Sequence, residues 1–228
     1  MKLFFAAVLF FLSAFAAAQV EQSPQEIHFD YRVNMLQGMA EGAGYGKTVL
    51  MGDSIAEAFF WNSTACGALI NAGSGGANTE MLHARVARIF DLTRPAVAVV
   101  PIGINDAHEW TDLADWKRKY NGIAYLMFQR GITPVFETPL PVEQGKPLGA
   151  DYFDQAVLLE IIAHIRAVAR NYGAVLNDQF ATFSDAAGYL PAGSTLDGVH
   201  PTGALYRVIY TQRQGAIRRA WAKRGVSC

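Results

Sequence analysis

Four short stretches carry residue types that could do acyl-transfer chemistry. Gly52-Asp53-Ser54 places a hydroxyl just after the apolar run Thr48–Met51. A serine on a strand-to-helix turn is exposed, and its amide lies at a helix N-terminus, where negative charge is stabilised. The same Ser54 would also serve as an ordinary helix cap. Asp197-Gly198-Val199-His200-Pro201 supplies the complement. A neutral imidazole can take a hydroxyl proton near pH 7, and a carboxylate three residues away can orient that ring. Gly103-Ile104-Asn105-Asp106 follows the run Ala96–Ile102 and could aim an asparagine amide at a developing oxyanion, or simply form a turn. Asn71-Ala72-Gly73-Ser74-Gly75-Gly76 is a glycine-rich loop whose backbone N–H groups can approach a ligand closely. It contains neither G-x-G-x-x-G nor a P-loop signature, so nucleotide binding by either device is not indicated.

These stretches all follow apolar runs of strand length. Thr48–Met51, Ala68–Ala72, Ala96–Ile102, Thr133–Thr138 and Ala174–Asn177 read as five buried strands. Pro101 is expected at its strand's end, because proline cannot donate to a central ladder. Helical spacing is expected over 31–40, 79–90, 113–130, 152–172 and 202–223. Strands alternating with helices predict an α/β fold: a three-layer, doubly wound, parallel five-stranded sheet with its site at the strands' carboxyl ends. The Pro/Gly-rich segment 139–151 is expected as a surface loop beside that site.

Composition agrees with a packed globule: 51% of the 228 residues are hydrophobic and only 17% charged, which excludes disorder. The net charge of −1 gives no electrostatic footprint for nucleic acid. Met1–Ala18 has a basic start, an apolar run and an Ala-x-Ala end, the three parts of a Sec signal peptide. The apolar run is too short to span a bilayer, so no stable membrane anchor is expected. Residues 19–228 then form one exported domain in an oxidising compartment, periplasmic or extracellular. Cys66 and Cys228 could pair there, but only spatial distance decides it. No His/Cys/carboxylate cluster has metal-ligand spacing, so no metal or other cofactor is expected. His28, His83, His108 and His164 lack a motif that would make them catalytic, and Asp53 and Asp106 are expected to fix their own turns.

Taken together, GDS, NAGSGG, GIND and DGVHP stand in the order of the conserved blocks of the GDSL/SGNH hydrolases, which this chain resembles across Thr48–Thr202. The resemblance implies a serine esterase with Ser54 as nucleophile, His200 as general base and acid, and Asp197 as its orienter. It implies an oxyanion hole from the Ser54 amide, the Gly76 amide and the Asn105 side chain. Two departures stand out: GDSI replaces GDSL, and Ala77 replaces the aspartate common in relatives, which leaves Gly73 and Gly75 open as alternatives to Gly76. The implied substrates are small-molecule, glycan or lipid esters. Small-acyl esters of carbohydrate, a lysophospholipase- or thioesterase-like activity, and a non-catalytic glycan- or lipid-binding domain remain alternatives, as does a flavodoxin-like flavin or nucleotide binder on the same sheet. Oligomeric state is not legible.

Overall fold

The computed structural model describes residues 22–44 and 47–228. The proposed leader Met1–Ala18 lies outside them. In chain order the elements are α1 (Pro24–Ala43), β1 (Thr48–Leu50), α2 (Ser54–Glu57), β2 (Ser63–Thr64), β3 (Gly67–Asn71), α3 (Thr79–Thr93) and β4 (Val97–Pro101). A 3-10 turn, Ile104–Asp106, precedes α4 (Leu113–Gln129), β5 (Thr133–Glu137), α5 (Gln155–Asn171), β6 (Val175–Asn177), α6 (Gln179–Phe183) and α7 (Gly203–Ala222).

The sheet order is β2-β3-β1-β4-β5-β6. All five expected strands pair in parallel, with Leu50 opposite both Asn71 and Val99, and Glu137 opposite Pro101 and Asn177. Pro101 is the last residue of its strand, as its missing donor requires. The sheet has six strands rather than five, because β2 adds an antiparallel edge to β3. Two residues of polar sequence give no periodicity from which such a strand can be read. The hairpin is held from outside: Gln214 of α7 accepts from the Ala65 amide at 3.1 Å and donates to the Ser63 carbonyl at 3.3 Å. A Cys66–Cys228 disulfide, with Cα atoms 5.1 Å apart, ties the hairpin turn to the C-terminus.

The chain runs from β1 outward to β3, then returns across β1 to β4. Right-handed crossovers therefore put α3, α4 and α5 in a row on one face and α7 on the other. Between them, Val49, Leu50, Val97–Val100, Val135 and Phe136 are fully buried. The reversal between β1 and β4 opens a crevice at their carboxyl ends, where ligands bind in such sheets. The loops carrying Ser54 and Asn105 leave those two strands. Helix α1 begins seven residues before the expected 31, because Ser23 and Glu26 form a reciprocal capping box around Pro24. It lies along α3 and β3.

Candidate active site

Ser54 is the first residue of α2. The turn before it is tight enough to demand glycine: a Cβ at Gly52 would lie 2.2 Å from the Pro101 carbonyl oxygen. Asp53 is the N-cap, and its Oδ1 accepts from the Ile55 amide at 2.9 Å. This fixes the turn as expected. The carboxyl of Asp53 is buried, and that desolvation pushes its pKa up to about 6 against the opposing Ile55 and Ala56 amides and the charges of His200 and Arg213. The Tyr206 hydroxyl donates to the Ile55 carbonyl at 3.2 Å. Burial, aided by the Asp53 charge, pushes that phenol up to about 12.

His200 arrives from the far end of the chain, with its Nε2 2.8 Å from Ser54 Oγ. Its Nδ1 lies 2.6 Å from Asp197 Oδ2. Asp197 Oδ1 accepts from the amides of Val199 at 3.1 Å and His200 at 2.9 Å. Burial raises the Asp197 pKa, but these bonds outweigh it and hold the carboxyl below its ordinary value. With Nδ1–H donating to a carboxylate, Nε2 is left to accept the serine proton. The loop carrying the pair is braced by Glu143, whose carboxylate accepts from the amides of Gly193 and Thr195, both at 2.7 Å, and from the Thr195 hydroxyl at 2.6 Å. The 139–151 segment thus buttresses the histidine loop, a role its composition does not reveal.

The glycine-rich loop distinguishes its own amides. The Gly73 N–H donates to Asn71 Oδ1 at 2.9 Å, and the Gly75 N–H to Glu57 Oε2 at 2.5 Å. Among the described residues the exposed Gly76 amide has no hydrogen-bond partner, so it is the one left for a ligand. One N–H of the Asn105 side-chain amide donates to the Ala77 carbonyl at 2.9 Å; the amide's second N–H remains. The Asp106 amide closes its own turn onto the Gly103 carbonyl at 3.2 Å, as expected, while its carboxylate accepts from the Thr79 amide at 3.0 Å and the Thr79 hydroxyl at 2.8 Å, tying the GIND turn to the start of α3.

A cavity of about 270 Å³ is lined by Asn78, Asn105, Trp110, Asp112, Trp116 and Lys119. Trp110 is 76% exposed and stacks at 4.4 Å on His108, which stacks in turn on Phe153. A second cavity of about 320 Å³ also has Trp110 in its wall, with Glu109, Asp151 and Asp154 among its other lining residues. A larger cavity, near Phe90, Arg130 and Ile132, sits at the opposite end of the sheet from Ser54. Among the described residues no cluster of His, Cys, Asp or Glu could hold a metal, and no helix is long and apolar enough to cross a membrane. His83 is exposed on α3, and His164 pairs with Asn121 at 2.9 Å, so neither joins the site.

The family model for GDSL-like lipases and acylhydrolases matches residues 42–208. No curated protein matches the sequence. Solved structures do. A GDSL-like lipase from Bacteroides thetaiotaomicron is 19% identical, with TM-score 0.70, over 84% of this chain and 99% of that one. A lipase/acylhydrolase from Enterococcus faecalis is 17% identical, with TM-score 0.61, over 75% and 95%. A catalytic mutant of an acetylxylan esterase from Geobacillus stearothermophilus is 17% identical, with TM-score 0.61, over 76% and 95%. At these identities the likeness establishes the α/β fold.

Proposed function

Because the chain belongs to the GDSL-like lipase/acylhydrolase family of ester hydrolases, we propose that it is an exported serine esterase whose nucleophile is Ser54. The observation that carries this is the chain of hydrogen bonds from Ser54 Oγ through the His200 ring to Asp197, at 2.8 and 2.6 Å. His200 Nε2 takes the proton as Ser54 attacks the ester carbonyl. Asp197 stabilises the resulting imidazolium. The tetrahedral oxyanion is held by the amides of Ser54 and Gly76 and the side chain of Asn105. His200 then protonates the departing alcohol, and afterwards activates the water that releases the acid. The choice of Gly76 over Gly73 and Gly75 is supported by the prior engagement of the other two amides. The basic, apolar and small-residue parts of Met1–Ala18 support export.

The substrate we propose is a small-acyl ester, such as an acetate, carried by carbohydrate. The cavity that includes Asn105 is polar and is edged by an exposed, stacked tryptophan, a surface suited to a sugar ring rather than to a long acyl chain. Initial rates with p-nitrophenyl esters from acetate to palmitate, alongside an acetylated methyl xyloside, test this. The expected profile peaks at acetate and includes the xyloside, with Trp110→Ala impairing the xyloside far more than p-nitrophenyl acetate. A maximum at palmitate would reject the carbohydrate reading in favour of a lipid acyl hydrolase.

A further inference from the structure

Helix α1 lies almost wholly before residue 42, where the family match begins. Its side chains nevertheless end on the glycine-rich loop. Arg32 Nε donates to the Gly73 carbonyl at 3.0 Å, and Arg32 Nη2 to the Asn71 carbonyl at 3.2 Å. His28 Nε2 lies 2.9 Å from Glu57 Oε1, while Glu57 Oε2 accepts from the Gly75 amide. Arg32 Nε also stands 3.6 Å from Glu57 Oε1. Gln25 covers the next residue: a Cβ at Gly76, whose φ is +70°, would lie 3.0 Å from Gln25 Cγ. The helix itself is firmly seated, with Phe29, Val33, Leu36 and Ala40 buried and Asp30 paired to Arg85 of α3 at 2.7 Å.

From this arrangement we propose that α1 is a positioning clamp, acting through Glu57, that sets which loop amide faces Ser54. Glu57 lies three residues after Ser54 on the same helix. Its carboxylate therefore references the loop to the nucleophile. By engaging the Gly75 N–H it turns that donor away and leaves the Gly76 N–H as the one presented. Arg32 fixes the Asn71 and Gly73 carbonyls, so the stretch of loop leading into that choice is held. His28 and Arg32 supply cationic or hydrogen-bonding partners that keep Glu57 in place. None of these residues touches the reacting atoms. The clamp rests on the esterase reading above and extends it to residues outside the family domain.

Steady-state hydrolysis of p-nitrophenyl acetate by the full-length protein tests the clamp, with inhibition by phenylboronic acid as the second readout. Boron accepts the serine oxygen and gives an anionic tetrahedral adduct that mimics the oxyanion. Glu57→Ala and Arg32→Ala should lower kcat about 10- to 100-fold at unchanged KM, the penalty of a misplaced catalytic donor. The boronate inhibition constant should rise by the same factor, because the lost interaction exists only with the tetrahedral species. Glu57→Gln keeps an oxygen for the Gly75 amide and should recover most of kcat, as His28→Gln should relative to His28→Ala. The clamp is overturned if the folded alanine variants keep kcat and boronate affinity within about two-fold of wild type. It is equally overturned if Glu57→Gln falls as far as Glu57→Ala and both simply track a lower melting temperature. Should Arg32→Ala not fold, Arg32→Lys and Glu57→Gln carry the comparison. A wild type inert on every ester would instead bring down the esterase reading, and the clamp with it.

Discussion

Replacing Asp197 by asparagine separates the role of its charge from the role of its shape. Asp197 accepts three hydrogen bonds: two from the Val199 and His200 amides on Oδ1, and one from His200 Nδ1 on Oδ2. An asparagine oxygen can keep the two amide bonds, so the turn survives. Its NH₂ group then faces Nδ1 and donates to it. This forces the ring proton onto Nε2, which lies 2.8 Å from Ser54 Oγ and must accept, not donate, for catalysis. The wrong tautomer in an analogous serine–histidine–aspartate site costs about 10⁴ in kcat, or about 5.4 kcal/mol of barrier. Exchanging charge-assisted for neutral hydrogen bonds costs the fold only about 1–2 kcal/mol, a melting-temperature fall of about 2–8 °C. The assay is p-nitrophenyl acetate turnover at pH 8 beside thermal melts. Retention of more than a tenth of wild-type kcat by folded Asp197→Asn would refute the proposed role of His200 as base.

Other substitutions probe the oxyanion hole, the nucleophile turn and the disulfide. Asn105→Ala removes one proposed oxyanion donor and should cost about 10²–10³ in kcat with a small change in KM, read by the same assay. Asp53 is raised from 3.8 to about 6, so the fold favours its neutral form and bears a penalty above that range. Asp53→Asn should therefore gain stability at pH 8, by no more than about 3 kcal/mol, and the gain should shrink as pH falls through 6 and vanish below about 4. Chemical melts across pH read this, and a gain that does not change with pH would contradict it. The Cys66–Cys228 bond closes a separation of 162 residues. Cys66→Ser with Cys228→Ser should lose about 2–5 kcal/mol, roughly 5–15 °C in melting temperature, while kcat per folded molecule holds.

The presence and parallel pairing of five strands were legible because buried runs such as Ala96–Ile102 admit few other readings, and because Pro101 announces its strand's end. The first turns of α1 carry a readable Ser23-x-x-Glu26 box, which a search for apolar periodicity alone passes over. The edge strand β2 is different, since it exists through Gln214 and the disulfide rather than through its own two residues. At the site, local spacing could bring Asp197 and His200 together, but the approach of His200 to Ser54 spans 146 residues and depends on the sheet. Sequence favoured Gly76 but left Gly73 and Gly75 open, because what separates them is the Asn71 side chain on Gly73 and a carboxylate 18 residues before Gly75. Glu143, Arg32 and His28 left no signal for the same reason: their partners lie 29 to 52 residues away.

The central claim is that Ser54 forms an acyl-enzyme. Reaction of the full-length protein with a p-nitrophenyl phosphate triester, followed by peptide mass spectrometry, tests it most directly, with Ser54→Ala as the parallel sample. The expected result is one adduct per chain on the peptide containing Ser54, loss of esterase activity in step with labelling, and neither labelling nor turnover in Ser54→Ala. Turnover of p-nitrophenyl acetate by purified Ser54→Ala at the wild-type rate, or stoichiometric labelling at another residue, would contradict it.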